Sequence, residues 1–194
     1  MSSTVRSVYV HAPFCARRCT YCDFAVSVRR SGDLEGWLEA LRGEWDLVAR
    51  EGLFRVADRL DTLYVGGGTP SLLGRDAMAG LRDLVGDERL RDPALEWTAE
   101  ANPESLTDEV AAGWAEAGVN RVSLGAQTFH EDALRWMGRL HGPEGPGRAV
   151  RAARSAGIDN VSVDLIFGLP RALGRSWTDD LGRALDLEVP HVSL

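Results

Sequence analysis

The chain has 194 residues, 44% hydrophobic and 26% charged, an ordinary globular mixture long enough for one domain, or a large piece of one, with a substantial core. Its formal charge of −7 disfavours a general nucleic-acid binder, and no apolar run approaches the about 20 residues that span a bilayer. All 22 basic residues are arginine, which excludes a Schiff-base lysine and a P-loop lysine within this chain.

The N-terminal stretch MSSTVRSVYVHAP has no apolar signal-peptide core, and three is an odd number of cysteines for a disulfide framework. Both features predict a cytoplasmic protein with reduced thiols. In chain order, β-type runs recur as SVYVHA (7–12), DTLYVGG (61–67), LEWTAEA (95–101), VNRVSLGA (119–126), NVSVDLIFG (160–168) and HVSL (191–194). Most read as nearly continuous apolar stretches, as expected for strands of a parallel sheet buried on both faces.

Helical patterns fall between these runs. Leu34, Trp37, Leu38, Leu41, Trp45 and Val48 recur at spacings of three and four, and Leu106, Val110 and Trp114 mark a second face, with Gly118 placed as its C-cap. Ser176 and Asp179 resemble a capping box ahead of Trp177, Leu181 and Leu185. HGPEGPG (141–147) reads as a loop. The repeated βα order predicts an α/β fold with a parallel sheet curved into a barrel. The chain reaches Leu194 inside its sixth β run with no turn signal after it. The expectation is an N-terminal fragment of a longer protein, residues 1–194, without its C-terminal domain, because a bare apolar edge is rare.

All three cysteines lie at Cys15, Cys19 and Cys22, directly after the first strand. Pro13 disfavours helix at Ala12, so the thiols belong to a loop at a strand C-terminal end, where α/β barrels carry their chemistry. Three thiolates there suit three irons of a [4Fe–4S] cluster, leaving the fourth open to a small molecule. Zinc is the alternative, with His11 completing a Cys3His set. A second strand end carries YVGGGTPS (64–71), whose glycines let backbone groups approach a ligand, although no Gly-Lys-Ser/Thr follows as in a Walker loop.

Together the Cys-x3-Cys-x2-Cys loop with Tyr21 and the glycine motif resemble the radical S-adenosylmethionine (SAM) superfamily. SVYVHAPFCARRCTYCDF, LYVGGGTPSLL, EANPES, NRVSLGAQTF, MGRLHG and VDLIFGLP narrow the resemblance to the oxygen-independent coproporphyrinogen III oxidase family, from Val5 to Leu194. The porphyrinogen oxidases carry a further cysteine two residues after the third cluster cysteine. Phe24 stands there, as in the haem chaperone branch. The resemblance implies a partial (βα)6 TIM-like barrel truncated in its sixth strand. It implies a cluster on Cys15, Cys19 and Cys22, and SAM near Gly67, Gly68, Thr69, Tyr9, Tyr21, Glu100, Gln127, Arg139 and Asp164. It further implies haem or porphyrin as cargo, haem-acceptor proteins, and an electron donor such as a flavodoxin or ferredoxin, with no nucleic acid and no membrane span. The alternative activity is porphyrinogen oxidation through a 5′-deoxyadenosyl radical. His11 and His141 are expected to be structural.

Overall fold

The computed structural model describes residues 3–194; the first two residues of the N-terminal stretch lie outside it. Six strands form one all-parallel sheet in simple chain order: β1 (Ser7–Ala12), β2 (Thr62–Gly67), β3 (Glu96–Ala101), β4 (Arg121–Gln127), β5 (Asn160–Leu165) and β6 (His191–Ser193). Each strand pairs with its sequence neighbour, so β1 and β6 are the two edges. The helices that return the chain are α1 (Leu34–Glu51), α2 (Ala77–Val85), α3 (Asp108–Ala117), α4 (Glu131–Met137), α5 (Gly145–Ser155) and α6 (Trp177–Leu185). This is the expected α/β order, and all six β-type runs become strands of one sheet. Among the described residues no helix is long and apolar enough to cross a membrane.

The strands alternate rather than being apolar throughout. Leu63, Val65, Trp97, Ala99, Val122, Leu124, Val161 and Val163 are buried in the core against the helices. The intervening residues, Tyr9, Tyr64, Thr98, Glu100, Arg121, Ser123, Ser162, Asp164 and His191, are polar and share the other face, because successive side chains leave a strand on opposite sides. A closed barrel fills that face with branched apolar residues. Here it is instead a polar wall on which a cleft is built.

Two further short parallel pairings were not visible as periodicity. Ser3–Val5 pairs with Phe54–Val56, and Phe14–Cys15 pairs with Ser27–Val28. Segments of two or three residues are too short to carry a period. Asp33 caps α1, accepting from Gly36 N at 3.0 Å, but only Trp37 on that helix is fully buried; Leu34, Leu38, Leu41 and Trp45 are partly covered. Gly118 caps α3 as its sequence predicts, and Thr107 Oγ1 caps the other end, accepting from Val110 N at 3.2 Å. The HGPEGPG stretch is a loop only over its first part. Helix α5 begins at Gly145, with Pro146 in its first turn where a missing N–H costs nothing. Leu185, read as part of the inward face of α6, is 71% exposed, because the helix ends there.

One buried ionic knot ties the last third of the chain together. Asp180 of α6 accepts from Thr128 Oγ1 at 2.6 Å, Phe129 N at 2.7 Å and Arg175 Nε at 2.6 Å. Arg175 also donates to Ile166 O at 2.9 Å and lies over the Trp177 ring. The Arg175 and Asp180 side chains are 6% and 3% exposed, so removing one partner strands the other in a low-dielectric site. Asp180→Ala should lower unfolding free energy by about 3–5 kcal/mol. Glu88→Ala, at the exposed Arg91–Glu88 pair, should cost about 0.5 kcal/mol or less. Urea denaturation of the two variants against the parent checks both.

Candidate functional site

The cysteine loop leaves β1 through Pro13 and returns beside its own stem: Ser27 N donates to Pro13 O at 2.7 Å and Arg29 N to Cys15 O at 2.9 Å. A turn places Cys22 N 3.2 Å from Cys19 O. The far side of the loop is held by the end of α4, whose last carbonyls lack helical partners. Thr20 supplies them, through N to Met137 O at 3.1 Å and Oγ1 to Trp136 O at 3.3 Å. The three thiols are free and half-buried.

The glycine motif at the end of β2 is the seat of this loop. Gly68 N donates to Ala12 O at 2.8 Å, and a Cβ on Gly68 would lie 2.6 Å from Phe14 O and 2.9 Å from Ala12 O. Both are backbone atoms, so no side chain fits without moving the loop. Gly67 has φ +111°, and a Cβ there would meet the His11 ring. Thr69, 3% exposed, directs Oγ1 toward Cys15 Sγ at 3.5 Å and receives Asn102 Nδ2 at 3.1 Å. Burial pushes the Cys15 thiol up, and the Thr69 contact acts against that.

Asn102 then passes the connection on. Its Oδ1 accepts from Arg139 Nη2 at 2.7 Å, and the same nitrogen donates to Gly125 O at 2.6 Å. Arg139 Nη1 lies 3.8 Å from Cys19 Sγ, while Nε is a buried donor with no acceptor. Gly138, in the left-handed region at φ +75°, ends α4 and turns Arg139 inward.

Glu100 is held from both sides: Tyr64 Oη donates to Oε1 at 2.8 Å and Gly67 N to Oε2 at 2.9 Å. Burial, followed by the Glu100 charge, raises the Tyr64 phenol, so it stays a donor at neutral pH. Asp164 accepts from Ser123 Oγ at 2.9 Å and Ser162 Oγ at 3.3 Å. Burial raises its carboxyl from the ordinary aspartate value despite these bonds. Gln127 sits at a register shift with φ +67°, an uncommon conformation for a non-glycine residue that is fixed by Gln127 O accepting from Ile166 N at 2.9 Å.

One cleft of about 220 Å³ is lined by Cys15, Cys19, Tyr21, Cys22, Gly67, Gly68, Thr69, Glu100, Gln127, Arg139 and Asp164, with Phe24 at its border. Tyr9 is brought near but is not a wall of the cleft. It stacks on Tyr64, ring centroids 6.0 Å apart, and its Oη is 3.1 Å from His11 Nδ1. Asn102, Tyr64 and Ser123 were not singled out from sequence. Asn102 lies within the quoted EANPES segment after β3, a signal that was available; Tyr64 and Ser123 act through tertiary neighbours. His141 is structural as expected, with Nε2 3.2 Å from Ala126 O and Nδ1 3.3 Å from Glu104.

The donor set suits iron and sulfide: three soft thiols on one loop, a nearby guanidinium, and no fourth thiol. Among the described residues no three or more His, Cys, Asp or Glu side chains gather closely enough to hold a single metal ion, and His11 is engaged with Tyr9. This geometry does not support the Cys3His zinc reading.

Residues 9–174 match the radical SAM superfamily. The chain is 44% identical over 188 residues to the protein named "Heme chaperone HemW" of Mycobacterium tuberculosis, covering 94% of this chain and 46% of that one. It is 36% identical over 188 residues to the protein of the same name from Lactococcus lactis, covering 97% and 48%. The fold is similar to that of coproporphyrinogen III oxidase (HemN) from Escherichia coli, a radical SAM enzyme, with a TM-score of 0.81 at 27% identity, covering 99% of this chain and 44% of that one. The chain thus spans about half the length of the curated relatives it matches. The chain belongs to the radical SAM superfamily.

Proposed function

We propose that this chain supplies the radical SAM core of a haem chaperone: it holds a [4Fe–4S] cluster and SAM, in a protein that binds haem and passes it to acceptor proteins. The observation that carries this reading is the convergence of three thiols, the Gly67–Thr69 backbone and the polar side chains of β3, β4 and β5 on one cleft. Names borne by relatives of twice the length support the cargo.

In this reading Cys15, Cys19 and Cys22 are the cluster ligands. When bound, the cluster supplies one-electron chemistry to SAM. Arg139, with a buried Nε lacking an acceptor, pairs with the SAM carboxylate. Glu100 and Asp164 accept from its amino group and ribose hydroxyls. Gly67, Gly68 and Thr69 line the methionyl part, and Tyr21 and Gln127 complete the wall. Tyr9 acts from behind, stacked on the tyrosine that holds Glu100.

The second reading, porphyrinogen oxidation, is favoured by the likeness to HemN. Phe24 opposes it. Its ring is 61% exposed at the border of the cleft and cannot do the work of a thiol. Haem titration should give a Soret band, with coproporphyrinogen left unconverted under reducing anaerobic conditions. Conversion would replace the chaperone reading with the oxidase.

Anaerobic reconstitution should give iron with acid-labile sulfide and a reduced-state EPR signal that changes on adding SAM; zinc without sulfide would overturn the reading. Cys19→Ser should lose most of the iron and sulfide. Asn102→Ala should keep the cluster but weaken SAM binding about tenfold, the scale of one hydrogen bond to a charged group, since it releases both Thr69 and Arg139.

Asp164→Asn separates stability from binding. The folded-state pKa of Asp164 is raised by burial, so the ionised form opposes folding above that pKa and the cost is lost as pH falls through it. The variant should be as stable as the parent or more so at pH 7, with the difference shrinking toward acid pH. SAM affinity should fall. Thermal melts across pH, paired with SAM titrations, check both.

A further inference from the structure

The last strand adds to the polar face a histidine that no role above uses. Parallel register sets Glu100, Ser123, Ser162 and His191 side by side in one row across β3, β4, β5 and β6. Asp164 stands farther along β5, opposite Gly125 of β4, whose lack of a side chain leaves it room. It leans on the serines of the row: Oδ2 accepts from Ser123 Oγ at 2.9 Å and Oδ1 from Ser162 Oγ at 3.3 Å. The same Ser162 Oγ lies 2.7 Å from His191 Nδ1. Ser162 is 1% exposed, whereas His191 is open to solvent. A buried hydroxyl thus joins a carboxylate in the wall of the cleft to a ring at the edge of the sheet.

Proton counting gives this connection a direction. Ser162 has one hydroxyl proton and two neighbours to serve. An ionised Asp164 only accepts, so the Ser162 proton points at Oδ1 and His191 Nδ1 is the N–H that donates to Ser162 Oγ. The reverse direction turns the lone pairs of Ser162 against the carboxylate in a buried site, where an unpaired polar contact is costly. Donation from the ring polarises the hydroxyl and strengthens its bond to the carboxylate.

The other groups facing Asp164 do not substitute. After burial and the two serines, Glu100 of β3 raises its carboxyl and Arg121 of β4 lowers it. Arg121 Nη1 donates to Thr98 Oγ1, Tyr64 of β2 is bonded to Glu100, and Arg139 is bonded to Asn102 and Gly125. Arg17, Arg18 and the three thiols line the same cleft on the cysteine loop. Among the described residues only the two serines donate to Asp164, and only Ser162 has a ring behind it.

We propose that His191 is a positioning residue for SAM: donating from Nδ1 to Ser162, it turns that hydroxyl onto Asp164 and keeps the carboxylate in the accepting form that the N–H and O–H donors of SAM require. The proposal rests on the reading of the cleft as a SAM site.

The test reads the connection without ligand and with it. In alkaline buffer, where a histidine ring is neutral, ring-nitrogen NMR of the unliganded chain should show His191 as the Nδ1–H tautomer; a bare Nδ1 overturns the proposal. Carboxyl-carbon NMR should show Asp164 titrating at higher pH in His191→Phe than in the parent, because its ionised form has lost support. Calorimetry on the reconstituted chain should show His191→Phe binding SAM about threefold more weakly, with the loss of affinity on acidification beginning at higher pH. His191→Asn, whose amide N–H can replace the ring N–H, should restore most of the affinity. In a Ser162→Ala background His191→Phe should move the Asp164 titration much less, as expected of two members of one connection. An Asp164 titration that stays put or falls in His191→Phe, or a shift undiminished in the Ser162→Ala background, overturns the positioning role. A parent chain that binds no SAM overturns the reading of the cleft instead, and the Asp164 titration of the unliganded variants still decides the connection.

Discussion

The cleft depends on one backbone contact. Gly68, just beyond the second strand, lies so close to Ala12 and Phe14 that a single added carbon would meet their carbonyl oxygens at 2.9 and 2.6 Å. This contact sets the stem of the cysteine loop on the sheet. Everything farther out is referred to it: Thr69 next in sequence reaches Cys15, Asn102 reaches Thr69, and Arg139 reaches Asn102 while lying beside Cys19. Loops are ordinarily the mobile part of an α/β fold. Here the loop is clamped at its stem by a glycine and at its far side by Thr20 on the carbonyl end of α4.

The second constraint is the division of the sheet into two faces. The apolar face takes the helices and supplies the stability. The other face gathers Glu100, Ser123, Asp164 and their neighbours, where burial is partial and each carboxylate is held by hydroxyl or backbone donors. Burial raises the Asp164 carboxyl, so ionising it opposes folding. The left-handed Gln127 at the end of β4 is of the same kind, a local cost held in place by the sheet.

The haem chaperone reading and the oxidase reading share all of this. They diverge at one side chain, Phe24, at the border of the cleft. A change of function at constant fold is what a grafted site permits, since the sheet positions the residues and the loops choose the chemistry.

Strand positions, the caps at Gly118 and Ser176, and the cysteine and glycine motifs were legible in the sequence, because each depends on spacing within a few residues. The polar alternation along the strands was also present in the letters but hidden by short runs of valine and leucine around it. What tertiary structure alone decided is which distant residues meet. Tyr64 finds Glu100, Asn102 joins Thr69 to Arg139, Asp180 closes on Thr128, and Tyr9 is stacked on Tyr64 instead of lining the cleft. These partners are separated by tens of residues, and a local pattern carries no information about how strand register brings them together. The sequence by itself determined the elements and the kind of chemistry; the parallel register of the sheet decided its geometry.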